Sequence, residues 1–310
     1  PLVRVFQTGA GESRFSSVTV LTPTGTLDRS ISQLEEDQKR GDFGGQILHN
    51  RRIVYTLTVI QGYLDHWDLN FLFLRGDAPG RHHAKDIGML YFWDLPFVLF
   101  GIYFLIKNRP QNTFVVFWWF LTAPLASALT TGTPHAVRAL LYLPTFQIFA
   151  AYGFWEVVKN RGKIISITLF SLLIVNFFYY LHMYYKHTPL EYSQWWQYGY
   201  RQVVEEVARQ EKDYQKIIVT YRYDQPYIYF LFYQKIDPLW YQKNWGGGEV
   251  KRMERSFGKY EFRNLEWSMD QNLKNTLLVG TPDEIPANTL GLLKEIKFLD
   301  GQVAFRIVGR

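Results

Sequence analysis

Four apolar runs in the middle of the chain constrain it most: Ile87–Ile106, Thr113–Leu129, Ala139–Val158 and Ile164–Tyr185. Each has roughly the 17 to 25 residues that a hydrocarbon layer of about 30 Å demands of a spanning helix. Two short basic turns, Lys107-Asn108-Arg109-Pro110 and Lys159-Asn160-Arg161-Gly162-Lys163, separate the first run from the second and the third from the fourth. The positive-inside rule puts both turns in the cytoplasm, and with them residues 1–86, the Thr130–Arg138 turn and everything after Lys186 on the opposite side. The expected fold class is therefore a membrane α-helical protein with about four transmembrane helices and a C-terminal extracytoplasmic α/β domain. The expected divisions are 1–86, an extracytoplasmic loop with an interfacial helix; 87–186, the four-helix transmembrane region; and 187–310, the soluble α/β unit.

Composition narrows the function classes. A mean hydropathy of −0.15 hides a strongly apolar middle between two polar ends. The net charge of +6 does not point to nucleic acid, because the cations form no basic stripe with interleaved aromatics. No cysteine is present, which removes disulfides, thiolate metal ligands and a thiol nucleophile. The chain opens on Pro1 with no initiator Met and no signal-like segment, so it is expected to begin within a longer protein.

The flanks read as follows. Pro1–Asp42 is polar, with a turn at Gly9–Ser13, alternation suited to a short strand over Arg14–Val20, and a helix over Ser30–Arg40 with acids early and bases late. Over Gln46–Leu74, Ile53, Val54, Leu57, Ile60 and Leu64 recur at helical spacing among charges, which predicts an interfacial amphipathic helix whose wet face carries Asp65, His66 and Asp68. After Thr188 the pattern predicts a helix over Gln194–Tyr214, buried strands at Lys216–Thr220 and Thr276–Gly280, a short helix at Pro226–Tyr233, and a hairpin within Glu295–Val308 turning at Asp300-Gly301. Gly246-Gly247-Gly248 has no following Lys-Ser/Thr and reads as a flexible turn, not a phosphate loop.

Chemistry concentrates at the Thr130–Arg138 turn. His135 and Arg138 sit between two apolar runs, where Arg138 either snorkels at a helix end or, with His135, holds a phosphate. Arg81, His82, His83 and Lys85 form a second cationic cluster ahead of the first run, suited to anionic lipid. A metal set of His82, His83 and Asp86 is the weaker reading, since adjacent histidines rarely share an ion, and no metal or other cofactor is expected. Asp94, two turns inside an apolar run, marks a functional or helix-pairing position. The aromatics from Tyr221 to Trp240 suit a domain core better than a sugar platform.

The run Phe71-Leu72-Phe73-Leu74-Arg75-Gly76-Asp77, then Arg81-His82, Gly88-Met89-Leu90-Tyr91 and Leu95-Pro96-Phe97, resembles the bacterial family 39 glycosyltransferases, membrane enzymes of GT-C fold related to dolichyl-phosphate-mannose protein mannosyltransferases. Pro134-His135-Ala136-Val137-Arg138-Ala139-Leu140, Leu143-Pro144 and Gln225-Pro226-Tyr227-Ile228-Tyr229-Phe230 are similar to the same proteins, and the likeness runs from about Phe43 to Arg310. The resemblance implies transfer of a hexose, mannose-like, from a polyprenyl-phosphate-linked sugar to a protein or glycan acceptor at the outer face of a bacterial plasma membrane. It further implies an acidic base in an early loop, expected upstream of Pro1, without which the fragment is inactive. Arg138, His135, Arg81 and His82 are the expected contacts to the lipid phosphate. The alternative expectation is a non-enzymatic membrane protein whose external α/β domain binds a ligand or partner.

Overall fold

The structure is a computed structural model that describes residues 18–20, 25–245 and 256–310. Gly9–Ser13, residues 14–17 of the expected early strand and the Gly246–Gly248 turn lie outside the described residues. The chain divides into two compact units, the first ending at Met183 and the second running Tyr184–Arg310.

The first unit is helical: α1 (Gly25–Arg40), α2 (Arg51–Asp65), α3 (Asp94–Asn108), α4 (Thr113–Thr122), α5 (Leu143–Val158) and α6 (Lys163–His182), with shorter pieces between them. The expected four-helix transmembrane region is not what forms, and this corrects the fold class. Among the described residues one helical run, Lys163–Glu191, is long and apolar enough to cross a membrane. The reason is local. Residues 87–93 are held in turns by Met89 and Leu90, whose N–H groups donate to the carbonyls of Phe71 and Leu72. Helix α3 therefore starts at Asp94 and its 15 residues reach about 22 Å at 1.5 Å per residue. Pro124 interrupts the second apolar run after α4, and Leu140–Tyr142 forms a 3₁₀ turn that delays α5 to Leu143. Apolar content measured whole runs, whereas Pro and turn residues set the helix lengths. Asp94, correspondingly, is not two turns inside a helix but its first residue, with Oδ2 accepting from Tyr91 N–H.

Helices α3 and α5 meet with almost no space between their backbones. A Cβ on Gly101 would land on the Phe149 carbonyl oxygen, and one on Gly153 on the Phe97 carbonyl oxygen. Around this crossing pack Val98, Leu105, Phe146 and Phe149, with Trp67 and Phe120 closing the cluster through edge-on ring contacts and Phe117 through a tilted one on Phe149.

In the second unit five strands form a mixed sheet of order β2-β1-β3-β5-β4: β1 (Lys216–Val219), β2 (Tyr260–Phe262), β3 (Thr276–Gly280), β4 (Leu292–Lys297) and β5 (Val303–Gly309). The first three neighbours are parallel, and β5 runs antiparallel to both β3 and β4. Alternation along the strands covers both faces. Ile217, Val219, Leu277 and Val279 pack with Val203, Val207 and Phe230 of two helices, while Ile218, Leu278 and Val308 pack with Leu265 and Ile285. The hairpin turns at Gly301, whose φ of +89° suits a residue without Cβ. The expected helix over Gln194–Tyr214 is shorter, Tyr200–Gln210, because Gly199 at φ +104° stands at its start.

The α3–α5 crossing makes a testable demand. Gly101→Val must force the two backbones apart and is expected to lower stability by about 2 kcal/mol or more, at the upper end of core overpacking. Ala at Gly162, where a Cβ meets open space, is the matched control. Equal thermal unfolding midpoints for the two variants would contradict the close approach.

Candidate functional site

The corner is built from the C-terminal end of α2 outward. His66, just past α2, is fully buried, not on a wet face as its charged neighbours suggested. Its Nδ1 lies 2.7 Å from the Gly62 carbonyl oxygen, which can only accept, so Nδ1 carries the proton. Nε2 is then an acceptor, and it takes a hydrogen bond from Ser127 Oγ at 2.8 Å and from the His135 backbone N–H at 3.2 Å. Asp65 Oδ2 accepts from Thr133 Oγ1 at 2.7 Å. Two consecutive residues at one helix end thus hold both limbs of the Thr130–Arg138 turn.

Gly76 sits at φ +75°, and a Cβ there would strike the His83 ring. That conformation turns Asp77 inward, where it is 4% exposed. Asp77 Oδ2 accepts from His82 Nδ1 at 2.5 Å and from the Ala136 N–H at 2.9 Å, and His135 Nδ1 lies 4.0 Å away. The His82 and His135 rings face each other at 5.0 Å between centroids, inclined by 37°. His135 Nδ1 is buried with no hydrogen-bond partner. Residues 77–82 and 130–138, far apart in sequence, are therefore one site.

The other expected residues are placed as follows. Arg138 Nη1 donates to Thr130 Oγ1 at 2.8 Å and to the Thr131 carbonyl at 2.7 Å, so the guanidinium braces its own turn. Arg81 is exposed beside His82. His83 Nδ1 faces the Ala84 and Ile87 carbonyl oxygens, and Asp86 is exposed next to Lys85, so the set His82, His83 and Asp86 is not gathered. Val18–Val20 also reaches the corner: Thr19 bridges Thr130, and Thr131 N–H donates to the Val18 carbonyl. Sequence reasoning passed over Asp77 and gave His66 the wrong surroundings. The signal for Asp77 was its place after Gly76, where a reversal of the chain can bury a carboxylate.

Beside the corner lies a cavity of about 220 Å³ lined by His82, His83, Ala136, Leu140, Tyr142 and Tyr180, among others. Tyr180 also lines an apolar groove of about 400 Å³ with Ile87, Phe92, Trp93, Leu172 and Val175. Burial lowers the pKa of His66 from its ordinary 6.5, against the attraction of Asp65 and Asp77. Burial, the Arg138 cation and His82 lower that of His135, again against Asp77. Both imidazoles are thus kept neutral near pH 7.

Comparison with protein-family models, with curated proteins and with solved structures found no match to this chain.

Because both histidines bind protons less readily folded than unfolded, stability they confer is complete above the unfolded value near 6.5 and is lost as pH falls below it. The unfolding midpoint of the purified protein is expected to drop between pH 7.5 and 5. In His66→Gln it should start lower at pH 7.5, from loss of the Ser127 and His135 contacts, and fall less steeply; parallel pH slopes would contradict the assignment.

Proposed function

We propose that this chain belongs to a membrane glycosyltransferase that moves a mannose-like hexose from a polyprenyl-phosphate-linked sugar to a protein or glycan acceptor outside the cytoplasm. The observation that carries this reading is the adjacency of the cavity lined by His82 and His83, beside the corner, and the apolar groove, which share Tyr180. A lipid phosphate needs a polar, donor-rich pocket for its head and an apolar channel for its chain, side by side. Arg81 and His82 supply donors at the head, with His135 behind them; Arg138 fixes the turn that presents His135.

Membrane residence is supported by the apolar surface. Ile53, Leu57, Ile60 and Leu64 fall within one stripe of α2 and all are exposed. Helix α6 has no buried residue, and the spanning window of the Lys163–Glu191 run has a mean hydropathy of 2.1. A water-soluble core helix of that composition would be covered by protein; here lipid is the cover. Lys159, Arg161 and Lys163 at one end of α6 favour the cytoplasmic side. Tyr180 lies 17 residues further along, about 26 Å at helical rise, which puts the corner at the opposite face.

In the reaction the acceptor hydroxyl oxygen forms a bond to the anomeric carbon, the bond from that carbon to the phosphate oxygen breaks, and polyprenyl phosphate departs. The hydroxyl proton goes to a base. Cations at the phosphate stabilise the charge that grows on the leaving group.

The second reading, a non-enzymatic membrane protein with an external ligand-binding domain, draws on a 270 Å³ cavity in the second unit lined by Tyr184, Tyr185, Trp196 and Tyr198. The two separate by binding. Purified chain in detergent is expected to bind polyprenyl-phosphate mannose, and Arg81→Ala combined with His82→Ala to weaken that binding at least about tenfold, the value of one charge-assisted hydrogen bond. Undiminished binding in the double variant, with loss instead in Trp196→Ala, would favour the second reading.

A further inference from the structure

We infer that Asp77, His82 and His135 form a binding site for a divalent transition-metal ion of the zinc type. Among the described residues they are the one group of three carboxylate and imidazole donors whose ligand atoms all lie within 4.8 Å of one another. One carboxylate and two imidazoles, with a coordination position left for water or substrate, is a donor set used by catalytic zinc sites.

The geometry is hard to explain as a simple ion pair. An Asp77–His82 pair would be complete with the 2.5 Å contact and the Ala136 N–H on the same oxygen. Yet a second imidazole turns its Nδ1 toward that oxygen, stops at 4.0 Å, and is buried there with no hydrogen-bond partner. A ring nitrogen orphaned in such a position costs free energy unless something pairs with it. Zinc bonds of about 2.0–2.1 Å in tetrahedral angles set ligand atoms about 3.3 Å apart. The two observed separations, 2.5 and 4.0 Å, lie on either side of that value. An ion would draw His135 in and push His82 out, each by less than 1 Å by the same arithmetic.

Surrounding bonds already orient the ligands. The Ala136 N–H steadies the carboxylate, and the His135 backbone N–H is fixed on His66 Nε2. Such outer partners are what tune and align metal ligands. The metal-binding form of each imidazole is neutral, so binding of the ion is favoured as pH rises. With no cysteine in the chain, softer thiolate-selected ions are disfavoured, and the N₂O set suits Zn²⁺, Co²⁺ or Fe²⁺. His82 and Ala136 also line the 220 Å³ cavity, so an ion here would face the proposed phosphate pocket and supply Lewis acidity there. That role rests on the proposed function; the binding itself does not.

The test uses the purified full chain without any lipid substrate, so its failure is distinct from failure of the transferase reading. After treatment with chelator, Co²⁺ is titrated and followed by its visible d–d absorption, with Zn²⁺ competing and isothermal titration giving stoichiometry. One ion per chain is expected, with visible bands and no thiolate charge-transfer band. His135→Gln and Asp77→Asn should each weaken binding at least tenfold, while His49→Gln, at a histidine elsewhere in the unit, leaves it unchanged. Circular dichroism separates loss of ligand from loss of fold, and His135, the least buried of the three, keeps the test open should Asp77→Asn unfold. No saturable binding, or binding equally strong in folded His135→Gln, would overturn the inference.

Discussion

A buried carboxylate has to be surrounded by donors, and the first unit is arranged around how Asp77 meets that demand. An isolated ionised carboxylate in a low-dielectric interior is far costlier than any single packing contact in the unit. Its Oδ2 is reached by one imidazole from its own loop and one backbone N–H from a turn nearly sixty residues away. Those contacts cannot form separately. If the 130–138 turn moved off, Asp77 would lose the Ala136 N–H and face His82 alone, so the two segments are bound to each other by electrostatic necessity. The Cβ-free positions nearby serve the same end: Gly76 supplies the reversal and Gly88 lets the following turn pass the backbone of Phe73.

His66 is the second fixed point, and its role depends on its tautomer. With Nδ1–H spent on the Gly62 carbonyl, Nε2 can only accept, and two donors from the opposing segment converge on it. A protonated ring would turn that acceptor into a donor and set it against the His135 N–H. Burial that keeps the ring neutral therefore also keeps the turn docked. The Tyr142 hydroxyl donates to the His66 carbonyl, which extends the same anchoring into the start of α5. From there the α3–α5 crossing, where glycine lets carbonyl oxygens nearly touch the facing helix, carries rigidity to the rest of the unit.

Sequence alone revealed a good deal of this, unevenly. Strands β1 and β3 were legible as short apolar runs, and the Asp300-Gly301 hairpin as alternation about a turn dipeptide, because these are local signals; the three-residue β2, Tyr260–Phe262, was too short to give one. The turn at Thr130–Arg138 stood out because polar residues between apolar runs are conspicuous. What misled was length. Apolar runs of 17 to 22 residues look like spans, yet backbone hydrogen bonds from Met89 and Leu90 to the carbonyls of Phe71 and Leu72, and the ring of Pro124, shorten the first two of these helices. The Asp77–His82–His135 grouping was invisible because its members lie 58 residues apart at the extremes, and no spacing rule spans that distance. His66 was misread for a related reason: its neighbours Asp65 and Asp68 are charged, but a residue at a helix terminus can point opposite to both.

The placement of polarity along α6 ties these points together. A helix with no buried residue contributes no core, so its position must be fixed by its ends and by what lies against its flank. Basic residues stand at its start, and at its finish Tyr180 borders both the histidine-lined cavity and the apolar groove while Met183 packs with Ala84 and Ile87. Ala84 and Ile87 belong to the segment that His83 staples through its ring nitrogen, the same segment that begins with Asp77 and His82. The carboxylate that organises the corner thus also determines where the end of α6 rests. A change that released Asp77 would disturb the histidine-lined cavity and the apolar groove together, because one short segment lines both.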